Sequence, residues 1–214
     1  MIDVAQADGI WTVTLNRPDK ANALTAHMLR DLAQTMREAQ AARAVILTGA
    51  GKVFSAGADL DAVRGGLAVS PQWEELSAAV SALPGLSIAA LNGTLAGGAM
   101  GMALACDLRI AVPRATFFYP VMKLGFLPQP SDPHRLAALI GPARAKLMLM
   151  AGQRLGAEEA LQAGLIERIV EADALLSEAR ALAADAVAAS PEHARQIKEM
   201  CSRSLPLAPP AGHF

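Results

Sequence analysis

Aromatic side chains are scarce in this chain: 4% of 214 residues, with five Phe, two Trp and one Tyr. A core with so few rings must be built from Ala, Leu, Val, Ile and Met, and the 53% hydrophobic content is enough for one well-buried domain. Cysteine is scarcer still. Cys106 and Cys201 are too few for a disulfide framework, and neither has a partner at zinc-ligand spacing, so no metal site is expected. Excess charge is lacking too. A net charge of -1 argues against a nucleic-acid partner held by bulk electrostatics, while leaving room for a local basic patch. No apolar run is long enough to span a bilayer and no signal-like region precedes the first strand pattern, so a cytoplasmic protein without a membrane partner is expected.

What the chain does have is glycine in two telling places. Phe54-Ser-Ala-Gly-Ala-Asp-Leu60 and Asn92-Gly-Thr-Leu-Ala-Gly-Gly-Ala-Met100 each follow a short apolar run that reads as a buried strand. Small residues let a ligand approach the backbone, so N–H groups from two separate turns can converge on one oxygen. A single glycine turn is commonly structural. Two, each just after a strand, point to a site.

The pattern along the chain is α/β. Residues 10–15 alternate apolar and polar as a half-buried strand does, and Thr25 reads as the N-cap of a helix running to about Ala41. Residues 44–48 form a strand before the first glycine turn. A short helix follows Asp59 and ends at Gly65-Gly66, and a second spans 73–83 before Pro84-Gly85. Residues 87–105 repeat the strand-turn-helix unit, and strands follow at 108–112 and around Phe117. Beyond Gly141-Pro142 the pattern is helical, over 142–150, 153–163, 173–189 and 191–204.

At the glycine segments the chain resembles the crotonase superfamily, the enoyl-CoA hydratase/isomerase family. The resemblance begins at Asn16-Arg-Pro-Asp-Lys-Ala-Asn-Ala-Leu24 and continues through residues 47–60 and 89–99. It takes in Ala105-Cys-Asp-Leu-Arg-Ile-Ala111 and ends at Leu161-Gln-Ala-Gly-Leu-Ile166. It implies an α/β, crotonase-like (ClpP/crotonase) spiral of repeated strand-strand-helix units with a shortened helical C-terminal region. Residues 1–140 would be the spiral core and 141–214 the region for packing and oligomerisation, in one continuous domain. A homotrimer or hexamer is the assembly it implies. The sequence ends at Pro209-Pro-Ala-Gly-His-Phe214, earlier than members usually do, where further residues normally help cover the acyl pocket.

The resemblance also implies an acyl-CoA substrate, with coenzyme A as part of the thioester and no permanently bound cofactor. Matching motifs puts the two oxyanion-hole donors on Ala58 and Gly98. Two such N–H groups stabilise a developing enolate by several kcal/mol, since losing one donor costs roughly 3 kcal/mol. The coenzyme positions fall on Lys20, Ala21, Ala56, Asp59 and Leu60. Asp59 has an equally good structural role as a helix cap, and Lys20 as a solvated turn residue.

The acid/base positions depart from the family. Hydratases place one glutamate three residues beyond the oxyanion glycine, where this chain has Gly101, and a second after a proline, where it reads Pro120-Val121. Neither glycine nor valine moves a proton, so ordinary hydration by the usual pair is unsupported. Some branches place an acid in the following loop, near Gln129. In that loop Asp132 and His134 form the only Asp–His pair close to the expected pocket. The competing reading has Asp132 capping a helix, Pro133 in its first turn and His134 in solvent. Tyr119, two residues before the lost second glutamate, is expected to pack in the core, and Cys106-Asp107 to mark a buried helix-to-strand junction, not a nucleophile. Met148 and Met150 are expected in the core or a subunit interface.

Two classes of function follow. One is an enzyme that stabilises an acyl-CoA enolate with non-standard acid/base residues, for isomerisation, unusual hydration, decarboxylation or thioester cleavage. The other is a catalytically silent acyl-CoA-binding or assembly subunit.

Overall fold

The computed structural model describes residues 1–202. Two strands open the chain, β1 (Ile2–Ala7) and β2 (Ile10–Leu15), joined by Asp8-Gly9. Both turn residues have positive φ, 53° and 77°, the twist that a two-residue hairpin demands. β1 is almost wholly exposed, which is why alternation marked only β2 as a strand. An exposed 3-10 turn, Pro18–Lys20, then leads to α1 (Ala26–Glu38), where the Thr25 hydroxyl accepts a bond from the Met28 N–H at 3.2 Å.

Three strand pairs follow, and each pair is one turn of a spiral. They are β3 (Ala44–Gly49) with β4 (Val53–Ser55), β5 (Leu86–Leu91) with β6 (Thr94–Ala96), and β7 (Leu108–Ala111) with β8 (Thr116–Phe118). Helices α2 (Leu60–Arg64) and α3 (Gln72–Ser81) lie between the first two pairs, and α4 (Met100–Leu104) between the second and third. The first strand of each pair enters a six-stranded sheet with order β1-β2-β3-β5-β7-β10, its last member β10 being Arg168–Ile169. The second enters a four-stranded sheet with order β4-β6-β8-β9, where β9 is Leu155–Gly156. The long strands are apolar on both faces because helices cover them. β4, β6 and β8 are three residues each, too short for any period to show.

The corners between the sheets stack backbone to backbone. A Cβ at Gly93 would stand 1.9 Å from the Lys52 carbonyl oxygen, so only glycine fits the second corner against the first. Asn22, fully buried and in the left-handed region at φ 52°, fastens these corners. Its amide donates to the Ala50 and Val53 carbonyls at 2.9 and 2.7 Å and accepts from the Arg17 N–H at 2.8 Å. Asn92 Oδ1 accepts from the Gly49 N–H at 3.0 Å, and its amide donates to Gly51 at 3.1 Å.

The remaining elements are α5 (Val121–Leu124), α6 (Asp132–Ile140), α7 (Pro142–Leu149), β9 (Leu155–Gly156), α8 (Ala157–Ala163), β10 (Arg168–Ile169), α9 (Leu175–Ala188) and α10 (Pro191–Ser202). The helix expected over 153–163 starts four residues later. Leu155 and Gly156 instead pair antiparallel with Phe117 and Thr116, and that ladder keeps them extended. The alanine-rich stretch is α9, and Ala179 and Ala183 are fully buried where the helix crosses the large sheet. Met148 is buried as expected, whereas Met150 is 59% exposed. Residues 203 and 204 of the expected last helix, and the segment 209–214, lie outside the described residues. Among the described residues no helix is long and apolar enough to cross a membrane.

Candidate active site

The two glycine turns meet. β4 and β6 pair in parallel, which sets their C-terminal ends side by side. A Cβ at Gly57, whose φ is 92°, would stand 2.8 Å from the Ala96 carbonyl oxygen and 3.4 Å from the Gly97 Cα. The turns therefore touch through backbone, and glycine is what lets them.

Ala58 sits in a parallel bridge with Leu24. That bridge uses the Leu24 N–H on the Gly57 carbonyl at 2.7 Å and the Asp59 N–H on the Leu24 carbonyl at 2.9 Å. The N–H of Ala58 is in neither bond, since in a parallel bridge the central residue directs its own peptide groups to the other side. Gly98 lies in a 3-10 turn, Gly97–Ala99, that runs into the single turn of α4. The helix behind it is shorter than expected. A Cβ on Gly98 would stand 3.0 Å from the Trp73 indole, so Trp73 packs flat on this turn. The indole N–H is bonded to the Leu67 carbonyl at 2.8 Å, which locks the ring.

Ala58, Gly97, Gly98, Trp73, Tyr119 and Gln129 line one cavity of about 210 Å³. Leu60, Leu124 and Leu127 form its rim and are 79%, 59% and 86% exposed. Val121 is buried in its wall and presents methyl groups, which move no proton. A larger cavity, about 640 Å³, lies between α9–α10 and the ends of β5 and β7. Within it Lys198 pairs with Asp107 at 2.8 Å, and neither glycine turn reaches it. Size therefore does not mark the site here; convergent polar groups do.

The expected Asp132–His134 pair does not form. Asp132 is the first residue of α6, so two positions on, His134 points away from it into solvent. Nor does Asp132 cap its helix, because its side chain makes no bond to the first-turn N–H groups. It is 1% exposed and turned inward. The Tyr119 hydroxyl donates to Asp132 Oδ2 at 2.9 Å, and Oδ1 is buried with no partner among the described residues. Burial, more than any other influence, raises the Asp132 pKa from 3.8 to about 6. Burial likewise raises that of Tyr119, with Asp132 adding to the shift. Tyr119 is thus buried as expected, but its hydroxyl is engaged in a polar pair.

Of the residues expected at the coenzyme, Ala56 and Leu60 line the cavity. The Ala56 N–H donates to the Ala21 carbonyl at 3.0 Å, joining the two segments. Lys20 is exposed on the 3-10 turn Pro18–Lys20. Asp59 has the structural role as well: Oδ1 accepts from the Asp61 and Ala62 N–H groups at 3.0 and 3.3 Å, and Oδ2 pairs with Arg17 at 2.7 Å. The Arg17 bond, with those backbone bonds, holds its carboxyl below the usual carboxylate range. Cys106 is buried, and burial pushes its thiol up to about 12, so it is inert as a nucleophile. Trp73 and Arg17 were missed from the sequence. Trp73, one of only two tryptophans, carried the stronger signal.

Comparison with known proteins agrees with this architecture. The enoyl-CoA hydratase/isomerase family model matches residues 5–212. A Mycobacterium tuberculosis protein named probable enoyl-CoA hydratase echA6 is 36% identical over 202 residues, covering 92% of this chain and 82% of the relative. The crystal structure of an enoyl-CoA hydratase from Bacillus anthracis superposes with a TM-score of 0.87 at 34% identity, covering 94% of this chain and 82% of that one. DspI of Pseudomonas aeruginosa superposes with a TM-score of 0.86 at 33% identity, covering 94% and 86%. With its crotonase-like spiral and a family match over nearly its whole length, the chain belongs to the enoyl-CoA hydratase/isomerase family of the crotonase superfamily.

Proposed function

We propose that this protein processes an acyl-CoA thioester by stabilising its enolate between the backbone N–H groups of Ala58 and Gly98. The observation that carries the reading is the contact between the Gly57 and Gly97 turns, with Ala58, Gly98 and Trp73 all in the lining of one cavity. Donors held in a rigid, water-poor wall need no reorganisation as charge develops, which is the condition for a large effect on rate. The relatives' names speak of enoyl-CoA substrates, and the apolar cavity suits an acyl group.

On this reading the coenzyme lies along Lys20, Ala21, Ala56 and Leu60, with Asp59 shaping the turn through its cap and its Arg17 pair. Coenzyme A arrives with the substrate, and no permanent cofactor takes part. A homotrimer or hexamer, a cytoplasmic location, a role in fatty acid metabolism and the division into a 1–140 core and a 141–214 assembly region belong to the same proposal. Hydration by the usual two glutamates does not, since Gly101 and Val121 stand at their positions.

That same absence favours a second reading, a silent acyl-CoA-binding or assembly subunit. The test is the ultraviolet difference spectrum of hexadienoyl-CoA with stoichiometric protein. A red shift is expected, from polarisation of the thioester by the two N–H groups. Loss of the conjugated band would reveal addition across the double bond. An unchanged spectrum sinks the acyl-CoA reading.

A further inference from the structure

Gly101 and Asp132 share one space. A Cβ at Gly101 would stand 2.7 Å from Asp132 Oδ1 and 3.3 Å from its carboxyl carbon. The carboxylate thus ends where the side chain of residue 101 would begin, three residues beyond Gly98 and so on the same face of the turn. It arrives from a different element, α6, through space left by a residue without a side chain. Its partner Tyr119 lines the same cavity as Ala58 and Gly98. The Tyr119 oxygen donates to Asp132 and accepts from the Gln129 N–H at 3.4 Å, which leaves a second lone pair.

We propose that Tyr119 is the proton-transfer residue at the substrate α-carbon and that Asp132, acting through it, is the positioning residue that stores the proton. This rests on the enolate reading above. In the forward step the Tyr119 oxygen takes the α-proton while its own hydroxyl proton passes to Asp132 Oδ2. The C–H electron pair moves into the enolate, whose oxygen is held at Ala58 and Gly98. One negative charge leaves Asp132 as one appears on the enolate, and reversal returns the proton to the α-carbon. No other reactant is consumed.

Two features separate this from a purely structural pair. A buried carboxylate kept for packing would have both oxygens bonded, yet Oδ1 has no partner among the described residues. Burial also brings the acid close to neutral pH, where it both accepts and returns a proton readily. The charged groups acting on it are few: Arg135 on its own helix favours the ionised form and Glu74 on α3 opposes it, with Tyr119 bonded directly.

The experiment measures exchange of the α-hydrogens of butanoyl-CoA in D2O by mass spectrometry, beside binding of the same ligand by calorimetry. Wild type is expected to bind and to exchange, with a rate that rises through about pH 6 and then levels. Tyr119→Phe removes one oxygen and is expected to slow exchange about 100-fold or more while binding changes by less than about twofold. Asp132→Asn should slow exchange similarly and abolish the rise near pH 6. The double variant G101E/D132A, which returns a carboxylate from the other chain position, should recover part of the rate. Binding without exchange above that of free butanoyl-CoA, or full exchange by Tyr119→Phe, overturns the relay but leaves the binding reading standing. Absence of binding overturns both.

Discussion

At the residue scale, the decisive fact is that the Asp132 carboxylate is held where it costs stability. An acid whose pKa is raised on folding binds its proton more tightly in the native state than in the unfolded chain. Its stabilising contribution is full below the unfolded value, 3.8, and is lost as pH rises through about 6. Asp132→Asn removes this dependence. The variant is expected to gain on wild type by about 1.4 kcal/mol between about pH 5 and 7.5, read as the change in the difference between their urea midpoints. A gain in stability with a loss of proton transfer is the pattern expected of a functional group held against its preference. Equal pH dependence in the two proteins would mean that Asp132 is not desolvated.

At the scale of elements, the corners between the sheets hold the site together, and Asn22 is their fastener. Asn22→Ala would leave the Ala50 carbonyl and the Arg17 N–H short of a partner, with Val53 keeping only a longer bond from Asn92. The alanine would also inherit a φ of 52°. The expected cost is about 2–4 kcal/mol, seen in the denaturant midpoint, with hexadienoyl-CoA polarisation falling because the Ala21–Ala56 bond borders the same corner. These elements were unevenly legible. β3 and β5 announced themselves as continuous apolar runs, and α1 by its Thr25 cap. β8 showed as the short extended run around Phe117, but β4 and β6 gave no signal, because three residues span no full period and their pairing is wholly non-local. β9 was misread as helix for the same reason: its extended form is imposed by Thr116 and Phe117, some forty positions earlier.

At the scale of the molecule, Arg109 ties the C-terminal region to the spiral. Its guanidinium is 3% exposed and donates to the Leu165 and Cys106 carbonyls at 2.8 and 2.7 Å, with an ion pair to Glu167 at 2.7 Å. Glu167 also accepts from the Arg109 backbone N–H. Arg109→Met leaves those carbonyls unpaired and Glu167 without its cation, at an expected cost of about 3–5 kcal/mol. Hydrogen exchange should then rise first in α8 and β10, before the six-stranded sheet opens. Uniform exchange across the molecule would mean that the two regions unfold together regardless of this residue.

Sequence by itself determined the family, the order of spiral turns and the two glycine segments, because each rests on residues close together in the chain. It also put glycine at 101 and valine at 121, neither of which moves a proton, and pointed to Cys106 as part of a buried junction. Only the tertiary structure decided which side chain stands against Gly101. Asp132 and His134 are neighbours in sequence but face opposite ways on α6, whereas Asp132, Tyr119 and Gly101 are scattered in sequence and meet in the core. Local periodicity reports which face of an element is buried. It carries no information on which distant side chain enters a space that a glycine leaves open.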